Sequence, residues 1–359
     1  MFRSQVGRRY LSYQNQLRNA VENVNTLLEK NDRLSYLLAQ YIPEPARNTF
    51  LAIHAFGLEV NKISAKSAGA SLGGIPATDL KFKFWSDLLT KAFLDSGNVG
   101  EPIAFLLRDG LRNGENLDIS YFQQFLQTRK HFLQQNQFGS VADICSYGEG
   151  TYSQLNYATQ ALLLSPHISP SVIHLLEESP ALQGKVSEVA AHIGQSTAIT
   201  SMILGLNYYA SSKNFVTLPV DLMSKFELSQ ESVLRLSQGH LKEEEVSETR
   251  EKLRNVIYET AITANDHLLT ARSKLQEIKS EISSVVEENA ADELLARGKK
   301  NWRHGIPDVV FTPLTVAIPT SLYLQRLEKN DFDVFSKKLQ QKEWRLAWTS
   351  FRSYYLRTI

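Results

Sequence analysis

Phe56 to Lys66 reads FGLEVNKISAK: one carboxylate, Glu59, then the amide Asn61 and the amines of Lys62 and Lys66. Carboxylates one helical turn apart point to the same side of a helix, and a set of them is the usual way to hold a divalent cation. This stretch supplies one acid with a lysine three residues on, which is at most the shell of such a site. Other groups able to do chemistry are equally sparse. The eight histidines never fall four apart with an acid between them, and GxSxG, GxxxxGK[ST] and EF-hand patterns are missing. Gly73-Gly74 and Gly148-Glu149-Gly150 follow no strand pattern, so they make poor dinucleotide loops. Cys145 is the single cysteine, which excludes an internal disulfide and a four-cysteine zinc site. No catalytic residue, metal set or cofactor is expected from these residues.

The elements that must carry them read as helices. Pro43-Glu44-Pro45 suits a helix start, and Phe50, Ile53, Val60 and Ile63 then form an apolar stripe of helical period. His54 in that segment reads as a satisfied core or rim side chain. Ser64 to Leu80 is a Gly/Ser/Ala-rich loop before the helix KFKFWSDLLTKAF, and Pro102 opens a helix through Leu111. Between Leu241 and Val286, Leu253, Ile257, Ala261, Ala264, Leu268, Ala271 and Leu275 fall on one face. Trp344, Trp348, Phe351 and Tyr355, at four, three and four, read as a packing stripe. Nowhere does an alternating pattern suggest a sheet. The expected fold is one all-α domain.

Length allows a sizeable core for one large domain or two ordinary ones. The 39 Lys+Arg against 38 Asp+Glu leave a formal charge of +1, and basic residues do not interleave with aromatics, so nucleic-acid binding is not expected. The N-terminus is different. MFRSQVGRRYLSYQNQLRNAV holds Arg3, Arg8, Arg9 and Arg18 with no acid before Glu22, the composition of a mitochondrial presequence. Residues 1–20 are assigned to it, with cleavage after Tyr10, and 21–359 to the helical domain; the alternative is a basic start to the first helix. Thr151 to Leu176 and Val189 to Ser212 lack charge for longer than a bilayer needs. The first is broken by Pro166 and Pro170. The second is polar in its middle and reads as a helix buried on all sides.

An ordered series of segments resembles the squalene/phytoene synthase family. It comprises the Pro43-x-x-x-Arg47 run into Ala55-Phe56 and Glu59-Val60, Phe84-Trp85, Tyr147–Gly150, His192-Ile193-Gly194, Leu218-Pro219 and Asp331-Phe332-Asp333-Val334-Phe335. The resemblance runs from about Asp32 to Tyr355. It implies an isoprenoid-synthase-type helical bundle around a central cavity. Two facing aspartate clusters there would hold Mg²⁺ ions against a diphosphate leaving group. At the first cluster this chain has Asn61, Lys62 and Ala65; at the second it has Ser201, Gly205 and Tyr209. The resemblance therefore implies a fold kept and a metal clamp lost.

One branch of that family, the mitochondrial complex I assembly factor 6 proteins, combines a presequence with degenerate aspartate motifs. LAIHAF, KFW and DFDVF favour that branch. It implies a non-catalytic protein on the matrix side of the inner membrane. Its partners would be complex I subunits or other assembly factors, at the early matrix-arm and first-core-membrane-subunit stage. Two other readings stand beside it. One is a prenyl-diphosphate transferase with relocated acids, for which Asp87 and Glu149 are candidates. The other is an isoprenoid- or lipid-binding module, set against a cavity filled by Tyr152, Met202, Tyr208 and Tyr209. Candidate cavity or anion contacts are Glu59, Lys81, Lys83, Tyr152, Gln195 and Lys213. Lys299, Lys300, Trp302 and Arg303 are the candidate membrane contact, cations around an aromatic.

Overall fold

Apolar residues recur at helical spacing along the chain, and prolines and short polar side chains fall where helices begin. The computed structural model describes residues 2–63, 71–72, 75–135 and 137–359. Helices α1 (Phe2–Asn31) and α2 (Arg33–Leu38) lead to α3 (Glu44–Asn61), whose first turn is set by prolines. Helix α4 (Ala77–Phe93) is followed by α5 (Pro102–Arg112), capped by Glu101, which accepts the Ala104 amide at 2.8 Å. Next are α6 (Ile119–Gln135), α7 (Val141–Glu149) with a Ser140/Asp143 capping box, and α8 (Tyr152–Leu163). Prolines open α9 (Pro170–Glu178) and α10 (Pro180–Lys213). The short α11 (Val220–Lys225) and α12 (Gln230–Gln238) precede the 46-residue α13 (Glu243–Glu288). Then come α14 (Glu293–Asn301), α15 (Asp308–Phe311), α16 (Ala317–Lys329) and α17 (Leu346–Leu356). One two-residue antiparallel pair, Ser71–Leu72 with Ile75–Pro76, lies in the loop before α4.

Packing centres on α10, which runs along α13 and also touches α7, α8 and α16. The expected stripes of α3 and α13 are all buried. By length and composition α10 could cross a membrane, but its apolar window is mostly inside the bundle. Ser196 finds a partner there, donating to the Ala264 carbonyl at 2.7 Å, whereas the buried Thr200 hydroxyl has none. Glycine permits the closest approach. A Cβ on Gly194 would sit 2.5 Å from the Ser153 amide nitrogen, so α8 and α10 touch backbone to backbone. At the N-terminal end, Ala20, Val24 and Leu28 of α1 are buried. The Tyr13 hydroxyl donates to the Asp109 carboxylate, and its ring lies 5.3 Å from Phe105.

The C-terminal stripe runs opposite to expectation. Trp344 is 82% and Trp348 66% exposed, and Phe351 and Tyr355 are exposed with them. Ser350 and Ser353 take the inward positions of α17. Spacing selected a face correctly but not the side on which the protein lies. Arg357, fully buried, pairs with Asp308 and holds the end of the helix down.

Candidate functional site

At the C-terminal end of α3, unpaired carbonyls need donors, and the helix dipole favours positive charge. Arg129 of α6 supplies both. Its buried guanidinium donates to the carbonyls of Asn61 at 3.1 Å and Ile63 at 3.2 Å, and lies 3.4 Å from the Tyr147 hydroxyl. Three residues back, Glu59 takes the Lys62 ammonium at 2.6 Å. The remaining acid of this segment is thus already neutralised by its own helix. Ala65 lies outside the described residues.

Ser201 of α10 is a neighbour of the Tyr152 hydroxyl, whose pKa burial pushes well above its ordinary range. Burial likewise raises Tyr147, with Arg129 opposing; both phenols stay neutral at physiological pH. The Tyr209 ring folds back over Gly205, so near that a Cβ there would meet it at 2.8 Å. From Tyr209 the rings continue to Phe215 (6.1 Å), Phe132 (6.0 Å) and then Tyr147 (4.9 Å), with Phe138 stacked on Phe132 at 4.5 Å. The Arg129 guanidinium stands 5.7 Å from Phe132. An aromatic chain with one buried cation therefore links the two segments where the resemblance implied opposed aspartates. Met202 is buried beside it, whereas Tyr208 points outward and is exposed, so Tyr208 fills no cavity.

The other candidates are dispersed. Glu59, Lys62 and Lys81 line a cleft of about 470 Å³ among α1, α3, α4 and α5, with Phe84, Trp85 and Glu101. Lys83 and Asp87 are exposed on α4. Lys213 sits at the far end of α10, 5.9 Å from the Tyr208 ring. Gln195 donates to Glu149 at 3.2 Å, and Tyr157 donates to the same carboxylate at 2.7 Å. Gln195 and Glu149 border a second cleft of about 490 Å³ with Gln124, Thr128 and Gln154. Glu149 is thus held by two neutral donors, with no second acid on that wall. Trp302 is half-buried with its ring against Gly298; Lys299 and Lys300 are exposed, and Arg303 stacks on Tyr355 at 4.3 Å.

Sequence reading missed Arg129, because its partners are 66 and 68 residues away. It also missed a chain of soft ligands. His192 and His267 face each other through Nδ1 atoms 2.8 Å apart, and Cys145 Sγ is 3.5 Å from His267 Nε2. One imidazole must donate and the other accept, so the accepting ring is neutral when they are bonded. Desolvation lowers both pKa values. His267 uses a different nitrogen toward each neighbour, so the three do not converge on one point. Among the described residues no group of three or more His, Cys, Asp or Glu is arranged to hold a metal.

Tested against the clamp that the resemblance implies, these residues do not fit. A diphosphate with its Mg²⁺ ions requires several carboxylate oxygens from opposite walls. The walls here offer an arginine, phenols and a glycine covered by a ring.

Comparisons place this geometry in context. The squalene/phytoene synthase family profile matches residues 28–352. Curated relatives include the bovine protein named NADH dehydrogenase (ubiquinone) complex I, assembly factor 6, 23% identical over 316 residues, covering 88% of this chain and 76% of that one. The human protein of the same name is 22% identical over the same shares of each chain. A homologue of it from Drosophila melanogaster is 22% identical over 266 residues, covering 72% and 69%. Among solved structures, a dehydrosqualene synthase in complex with ligand superposes with a TM-score of 0.59 at 12% identity, covering 96% of this chain and 97% of that chain. A squalene synthase from Alicyclobacillus acidocaldarius gives 0.59 at 9%, covering 88% and 96%. The structural likeness speaks for the fold alone; with the profile match it leaves one conclusion, that this chain belongs to the squalene/phytoene synthase family.

Proposed function

We propose that this chain is a non-catalytic member of its family that serves as an assembly factor for mitochondrial respiratory complex I. It acts early, on the matrix arm and the first core membrane subunit, from the matrix side of the inner membrane. The names of its curated relatives support the assembly role. The observation that carries the loss of catalysis is that Asn61, Lys62, Gly205 and Tyr209 stand where the resemblance puts acids, with Arg129 capping the end of α3 and the Tyr209 ring folded over Gly205. Glu149 alone cannot substitute for a two-sided clamp. The presequence belongs to the same reading. A leader that ends after Tyr10 spares Tyr13, whose hydroxyl is bonded to Asp109.

Depleting the protein in a host that builds complex I should lower the assembled complex on native gels, with the catalogue of other respiratory complexes unchanged. Undiminished complex I removes the assignment. The transferase reading has a separate test. Purified protein incubated with labelled farnesyl or geranylgeranyl diphosphate and Mg²⁺ should release no diphosphate above background; release revives it.

A further inference from the structure

Helix α17 is inside out. Its fully buried positions are Ser350 and Ser353, beside the half-buried Tyr354 that donates to Asp308, and Ser350 Oγ has no partner. Its outward positions are Trp348, Phe351, Tyr355 and Leu356, with Trp344 just before the helix. The rings are ordered among themselves: Trp348 stacks on Phe351 at 5.8 Å, and Phe351 meets Tyr355 at 4.4 Å. Water-facing helices normally turn such side chains inward, and a contiguous exposed aromatic patch marks an interaction surface.

Charge says what covers it. From Ser336 to Ile359 the chain carries six Lys or Arg and one acid, Glu343. Arg345 is engaged by Glu343 and Arg357 by Asp308. Lys337, Lys338, Lys342 and Arg352 remain exposed. Arg303, stacked on Tyr355, joins this face to the exposed Lys299 and Lys300 at the end of α14. A second copy of the chain would bring these cations against one another, which disfavours self-pairing. Tryptophan and tyrosine settle at the boundary of headgroups and acyl chains. Cations around them gain from a negative lipid surface.

We propose that the outer face of α17, edged by Lys342, Arg352 and the α14 cations, docks on an anionic lipid bilayer. The helix lies in the plane of the interface, its rings between the headgroups. This deepens the peripheral-membrane part of the reading above and does not depend on complex I.

The test uses the purified full chain and vesicles of phosphatidylcholine, with or without about one-third cardiolipin. The chain should co-sediment with the cardiolipin vesicles, with tryptophan emission shifted to the blue, and stay free of the neutral ones. Trp344→Ser/Trp348→Ser/Phe351→Ser should lower partitioning by about tenfold or more, with the thermal midpoint and circular dichroism of the parent. Lys342→Glu/Arg352→Glu should weaken binding as added salt does. Parent and triple-serine proteins that sediment alike would overturn the proposal. So would a parent that ignores vesicles and forms a dimer lost in the serine variant. Vesicle binding by a chain whose depletion leaves complex I intact would keep this inference and discard the assembly role.

Discussion

Helices α10 and α17 invert each other. The middle of α10 carries His192, Gln195, Ser196, Thr197 and Thr200, yet it lies at the packing centre of the bundle. Helix α17 presents tryptophan, phenylalanine and tyrosine, yet its aromatic side faces outward. Composition alone would exchange their places. Burial is decided by what the neighbouring helices offer: Ser196 meets a carbonyl on α13, Thr197 a hydroxyl on α16, and α8 donates Ser153 to the Ala191 carbonyl, while Thr200 Oγ1 is left without a partner. Helix α17 meets the protein through Ser350, Ser353 and the half-buried Tyr354, with its other rings turned away.

The strongest attempt to break this contrast is Gly194→Ala. The added methyl would press on the Ser153 backbone, and α8 and α10 would have to part, at a cost of about 3 kcal/mol or more in a denaturant titration. Leu206→Ala, at a fully buried position of α10, should cost about 2–5 kcal/mol by the same measurement. A cost under about 1 kcal/mol would mean that α10 is not the packing centre.

Protonation gives a smaller effect. His192 and His267 have pKa values lowered from 6.5, by burial first in each. The folded chain therefore binds fewer protons than the unfolded one between those lowered values and 6.5. Stability from this pair is present above that window and is lost as pH falls through it. The unfolding midpoint should drop between about pH 7.5 and about pH 5.5, and less so in His267→Gln. An equal drop in the variant would assign the acid sensitivity elsewhere. The smallest change sharpens the contrast from the other side. Trp348→Ser should move folding stability by no more than about 0.5 kcal/mol, since its ring has little protein to leave.

The fold was legible where periodicity met buried neighbours. Phe50, Ile53, Val60 and Ile63 on α3, and Leu253 through Leu275 on α13, are buried as their spacing implied. The α17 spacing was just as regular and was read the wrong way, because a period defines a stripe and not the medium facing it. That acids are missing at Asn61, Lys62, Gly205 and Tyr209 is an expectation drawn from the resemblance. The contacts around those residues were not legible. Arg129 capping α3 and the rings from Tyr209 to Tyr147 are products of tertiary contact, invisible in any local window.

The Tyr209 ring resting on Gly205 has a consequence for any attempt to install acids here. A carboxylate placed at residue 205 first collides with that ring, and removing the ring first opens a void beside Phe215. Arg129 would still await any incoming cation with a like charge. Each substitution is harmful on its own and useful only in company. A metal clamp at this place is therefore out of reach of any single change, and would have to be built by several made together.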